Sequence, residues 1–105
     1  MIPLIELASV IRSKNAGPYE LTLDIIFTSR QAYERVAGAG VIDARLISQL
    51  YRIPESDVLE LVHFAPAAAI KATIKRPCVA GALGDSDVYG AQQHAPLLTL
   101  QLDMP

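Results

Sequence analysis

The chain has 105 residues, of which 51% are hydrophobic and 19% charged, with a net charge of −2. That is one domain's length, and the lack of any basic block excludes a nucleic-acid-binding protein held by phosphate contacts. The lone Cys78 excludes an intrachain disulfide and a cysteine-rich zinc site, and no apolar run approaches the roughly 20 residues of a membrane span.

The N-terminal stretch is apolar but contains Glu6 and lacks a basic start, so it reads as mature protein rather than a signal peptide. A cytoplasmic location is the expectation. Mean hydropathy is +0.30, which is high for a small domain with much surface to cover. Some of that apolar surface is expected to meet a partner, another subunit first of all.

Leu4, Leu7, Ala8 and Ile11 have helical spacing behind Pro3, which fits a short helix, with a strand as the alternative. Residues 13–18 read as a loop. Leu21, Leu23, Ile25 and Phe27 alternate with Thr22, Asp24 and Ile26, the pattern of a strand over 20–28. Thr28 and Gln31 make a capping-box pair for a helical region over 29–51. That region places Ala32, Tyr33 and Val36 inward, breaks at residues 38–40 and restarts at Asp43 with a stripe of Leu46, Ile47, Leu50 and Tyr51.

Residues 58–64 are a strand by composition. Over 70–76, Ile70, Ala72 and Ile74 face in and Lys71, Thr73 and Lys75 face out. A short helix over 86–95, capped by Asp85 or Asp87, and a last strand over 97–103 complete the order. From residue 20 the order is strand, helix, strand, strand, helix, strand. The expected fold is a single ferredoxin-like α+β domain over residues 1–105, a split βαβ sandwich with an extra N-terminal segment.

Two polar segments interrupt this apolar chain, residues 12–20 and 84–94. The first runs, with the strand after it, from Arg12-Ser13-Lys14-Asn15-Ala16-Gly17-Pro18-Tyr19-Glu20 to Phe27. The second contains Asp85-Ser86-Asp87-Val88-Tyr89-Gly90-Ala91-Gln92-Gln93-His94-Ala95-Pro96. Together they resemble the two hallmarks of a small bacterial family of unknown function. That family is similar to the ferredoxin-fold domain that ends large proteins related to acyclic terpene utilisation protein A. The resemblance implies a ferredoxin-like fold and a large partner of that kind. In the large proteins the first loop is of the Arg-Ser-Gly-Asp-Lys-Gly type, and its Asp-Lys pair is absent here.

Read from the residues, the first loop is a candidate anion site. Arg12 offers a planar fork of donors, Lys14 a point charge, and Asn15 to Gly17 a nest of backbone N–H groups. The alternative is a tight turn whose arginine pairs with Glu20 or a neighbouring aspartate. In the second loop, Tyr89 and Gln92 are candidate ligand contacts, and Asp87 with His94 could orient a general base. Its competing reading is a helix cap followed by a solvated helix end. His63 reads as a core or interface histidine, Cys78 as an ordinary small residue, and Lys71, Lys75 and Arg76 as a solvated basic face bordering an anion pocket at most. No cofactor and no metal site are expected. The leading expectation is an accessory subunit that self-associates or joins the large partner, with an acidic small molecule as ligand. A stand-alone lyase or isomerase acting on a carboxylic acid, and a ligand-binding sensor domain, are the alternatives.

Overall fold

The alternation over 20–27 is strong enough to make that segment the centre of the molecule. In the computed structural model, which describes residues 1–17, 19–76 and 94–104, the elements are numbered in chain order. They are β1 (Ile2–Pro3), α1 (Leu4–Leu7), β2 (Ala8–Asn15), β3 (Glu20–Phe27), α2 (Arg30–Ala39), α3 (Ala44–Tyr51), β4 (Val58–Phe64), β5 (Ala69–Lys75), α4 (Ala95–Leu98) and β6 (Gln101–Leu102). A strand's side chains alternate between faces. Leu21, Leu23, Ile25 and Phe27 are therefore together on one face of β3, and all are buried.

β5 lies antiparallel to β3 with Ile25 opposite Ile70, Leu23 opposite Ala72 and Leu21 opposite Ile74. β4 folds back on β5 as a hairpin. Its connection is a single 3-10 turn, Ala65–Ala67, closed by Ala68 in the left-handed region at φ 50°. On the far side of β3 runs β2, also antiparallel. The sheet order is β2-β3-β5-β4. β3 and β4 are thus parallel, separated by β5 and joined through α2 and α3, which is the expected split βαβ unit. The fold is α+β, with helices packed on one face of an antiparallel sheet.

The N-terminal segment departs from its helical spacing. Only Leu4–Leu7 forms a turn of helix, and from Ala8 to Asn15 the chain is a strand. Residues 13–15, expected in a loop, belong to that strand. The physical reason is the short connection to β3: only four residues separate Asn15 from Glu20, so the antiparallel pairing from Val10 to Asn15 closes at small entropic cost. Gly17 takes φ +94° in that turn, a conformation that glycine alone adopts freely. The Ala16 N–H donates to the Glu20 carbonyl at 2.9 Å across it.

With β2 beside β3, no open edge of β3 remains for the C-terminal segment. Leu98, Leu100 and Leu102 alternate, yet the expected strand over 97–103 reduces to β6, two residues that pair with β1. Pro96 sits in the first turn of α4, where its missing N–H is not needed. Leu97 is fully buried while Leu98 is exposed. The expected helix over 86–95 falls almost wholly outside the described residues.

The helical layer follows its caps. The Ser29 hydroxyl accepts from the Ala32 N–H at 3.0 Å, so α2 starts one residue later than the Thr28 capping pattern predicts. Thr28 is held by the N-terminal segment instead, its N–H donating to the Leu7 carbonyl at 2.9 Å. Gly40, at φ 64°, ends α2 in a left-handed cap. The Asp43 carboxylate accepts from the Leu46 N–H at 2.8 Å and starts α3 as expected. Tyr33 and Val36 of α2 and Ile47 of α3 are buried against the sheet residues, and Tyr33 meets Phe27 edge-on with ring centroids 6.0 Å apart.

Tyr51, at the end of α3, has its hydroxyl pushed well above the ordinary value of 10.0, because burial penalises the phenolate. As pH rises, the unfolded chain releases this proton before the folded chain does. Tyr51 therefore contributes stability that is complete below about pH 10 and is lost above it. Chemical denaturation at about pH 8 and about pH 11 is expected to show a smaller alkaline loss of stability for Tyr51→Phe than for the parent chain. Equal losses would show that the phenol is not desolvated.

Candidate functional site

The helices cover one face of the sheet, and no described residue covers the other. Strand register lays out that open face in rungs. One rung, read across β2, β3, β5 and β4, is Val10, Ile26, Ala69 and Phe64; the next is Arg12, Asp24, Lys71 and Val62; the third is Lys14, Thr22, Thr73 and Glu60. Val10, Val62 and Phe64 are exposed large hydrophobics, at 38%, 37% and 48%. Two shallow depressions lie on this face and share Phe64 and Lys71. One, of about 250 Å³, lies over Thr22, Glu60, Val62 and Thr73. The other, of about 200 Å³, lies over Arg12, Asp24 and Ile26.

The middle rung carries the unusual chemistry. Asp24 is only 2% exposed although it lies on the open face. Central strand position explains this: β2 and β5 flank it, and the long side chains of Arg12 and Lys71 lean over it. Arg12 Nε donates to Asp24 Oδ2 at 3.0 Å. Lys71 Nζ stands 3.9 Å from Asp24 Oδ1, too far for a hydrogen bond but within ion-pair range. Oδ1 is buried and has no hydrogen-bond partner among the described residues. A desolvated carboxylate is costly unless it is paired and hydrogen-bonded, and here one of its oxygens is satisfied and the other is not. Both cations are about half exposed, at 57% for Arg12 and 48% for Lys71, and face solvent beside the second depression.

The first-loop candidates separate in space. Arg12 is on strand β2, bound to Asp24, which matches the reading of an arginine paired with a neighbouring aspartate. Lys14 is exposed on the same face, one rung on. Asn15 ends β2, half-buried, and Gly17 is in the turn. Of the second-loop candidates, Asp87, Tyr89 and Gln92 lie outside the described residues. His94 is half-buried just before α4, a helix that packs on α1 and α3 in the helical layer. Arg12 points from the other face of the sheet, so the described structure does not bring Arg12 and His94 together. His63 is exposed rather than in the core, and Arg76, expected on a solvated face, is 5% exposed. No group of three or more metal-ligating side chains forms among the described residues, and no described helix is long and apolar enough to cross a membrane.

Sequence reasoning missed Asp24 as the centre of the site. The available signal was a carboxylate at an otherwise ordinary position of an apolar strand, with an arginine in the segment before it. Only the register shows that they face each other.

Removing one partner of the rung tests its energetics. Arg12→Ala leaves Asp24 buried with one cation at ion-pair distance, so a loss of roughly 1–3 kcal/mol of folding stability is expected. Lys71→Ala removes a half-exposed charge and is expected to cost less than about 1 kcal/mol. Urea denaturation of both variants measures the difference. Equal effects would contradict the ranking.

Compared with known proteins, residues 4–101 match the model of DUF4387, a domain of unknown function. No curated protein and no solved structure matches the chain. The match spans nearly the whole chain, which therefore belongs to the DUF4387 family.

Proposed function

We propose that this DUF4387 chain is a small accessory subunit that docks by its open sheet face onto a larger protein related to acyclic terpene utilisation protein A. The pair would act in small organic-acid or acyl metabolism. The observation that carries the docking reading is the face itself. Val10, Val62 and Phe64 are exposed on it around a charged rung, an arrangement of apolar anchors and specific polar groups typical of an interface centre.

Charge decides between occupants of this face. Its exposed cations, Arg12, Lys14, Lys71 and Lys75, outnumber its exposed carboxylates, Glu20 and Glu60, although the whole chain carries −2. A second copy placed face to face would bring like charges together along the centre of the sheet, whereas a larger partner with an acidic patch would complement them. The kind of large partner comes from the resemblance carried by residues 12–27 and 85–96.

Co-expression with that large protein, followed by size exclusion, tests the proposal. The two are expected to co-elute, and Phe64→Glu is expected to weaken the complex at least about tenfold while the chain stays folded, because it puts a charge where the most exposed apolar anchor of the face stands. Independent elution of the parent chains, self-association alone, or an unweakened Phe64→Glu complex would each refute it.

A further inference from the structure

We propose that the depression over the Arg12–Asp24–Lys71 rung binds a small 2-hydroxy monocarboxylic acid with an aliphatic chain. The inference deepens the docking reading and rests on the same open face, but the binding chemistry belongs to this chain alone.

Three features select the ligand. The first is charge. Two cations stand over one carboxylate, which leaves a single positive charge for a singly charged anion to complete. Arg12 engages Asp24 through Nε, and its exposed side chain leaves the terminal nitrogens accessible to a ligand carboxylate. Lys71 supplies a mobile ammonium on the other side.

The second feature is Asp24 Oδ1. It is a buried acceptor with no hydrogen-bond partner among the described residues, and Asp24 lines the depression. A carboxylate ligand alone would set two anions side by side there. Oδ1 is covered, with Lys71 Nζ 3.9 Å from it and not hydrogen-bonded to it, so the ligand reaches it by displacing that half-exposed ammonium: a hydroxyl on the carbon next to the ligand's carboxylate then donates to Oδ1 while the carboxylate accepts from Arg12 and the shifted Lys71. A buried acceptor left without a donor discriminates strongly against an analogue that lacks the hydroxyl.

The third feature is the neighbouring rung. Ile26 and Phe64 line the same depression beside the charges, offering an apolar wall to an aliphatic chain. Its volume of about 200 Å³ is below that of a site for a drug-sized molecule, which favours a small ligand.

The test is titration of the intact chain, alone, with 2-hydroxy-4-methylpentanoate, 4-methylpentanoate and 2-hydroxy-4-methylpentanamide, followed by calorimetry and by amide chemical shifts. The hydroxy acid is expected to bind at least about tenfold more tightly than the acid lacking the hydroxyl or the neutral amide, with shifts centred on residues 12, 24 and 71. Lys71→Gln, a substitution at a half-exposed position, is expected to keep the parent's melting temperature and to weaken binding at least about tenfold. Arg12→Lys is expected to weaken it as well, since a point charge replaces the planar fork. No binding at about 10 mM, equal affinity for all three compounds, or undiminished binding by Lys71→Gln would overturn the proposal. Because no partner is present, such a failure leaves the docking reading to stand or fall on co-elution.

Discussion

Asp24 is a carboxylate held at 2% exposure on a sheet face that no described residue covers, and the two strands beside it exist in register to supply its counter-charges. That one constraint links the parts of the molecule. β2 must pair with β3 so that Arg12 faces Asp24. β5 must pair on the other side so that Lys71 does. A slip of one residue in either register would turn the cation to the helical face and leave a buried charge alone. The apolar residues of the same strands, Leu23 and Ala72 among them, are fixed by the same register on the opposite face. Core packing and charge pairing therefore specify a single alignment twice over.

The two faces of the sheet differ in what finishes them. On one face, α2 and α3 close over Leu21, Leu23, Ile25 and Ile74, and their caps at Ser29 and Asp43 set where each helix begins. On the other, the strands present exposed Val62 and Phe64 next to a rung whose central oxygen lacks a donor. Burial of apolar area is the main favourable term in both folding and association, and Val10, Val62 and Phe64 remain exposed on the open face. These three stand around the partly satisfied rung, so apolar area and charge share one face.

Much of the covered face was legible in the residues. Strict alternation marks β3 and β5, Asp43 marks the start of α3, and the order of elements marks the split βαβ unit. The outer strand β2 was only half legible, a strand being the alternative for residues 4–11 and residues 13–15 reading as a loop. Leu4, Leu7, Ala8 and Ile11 have helical spacing, but strand pairing with a nearby partner outweighs local pattern, and the polar run Arg12 to Asn15 resembles a loop until β3 is placed beside it. The same non-local cause hid the site. Arg12 was recognisable as a candidate, and Asp24 was recognisable as an outward residue, yet their meeting depends on register across a turn. The C-terminal alternation of Leu98, Leu100 and Leu102 misled for a related reason: β2 already held the edge of β3.

The proposed binding role requires that the charged rung not be needed for folding. Thermal unfolding of a variant with Arg12→Met, Asp24→Leu and Lys71→Met tests this most directly, since it replaces all three charges by apolar groups and leaves no buried charge unpaired. The expected melting temperature is equal to or above that of the parent chain, as is often found when a buried ionic cluster is replaced by apolar residues of similar size. A melting temperature lowered by roughly ten degrees or more, equivalent to the loss of about 2 kcal/mol in a domain of this size, would show that the rung is needed to hold the sheet together and would contradict the claim.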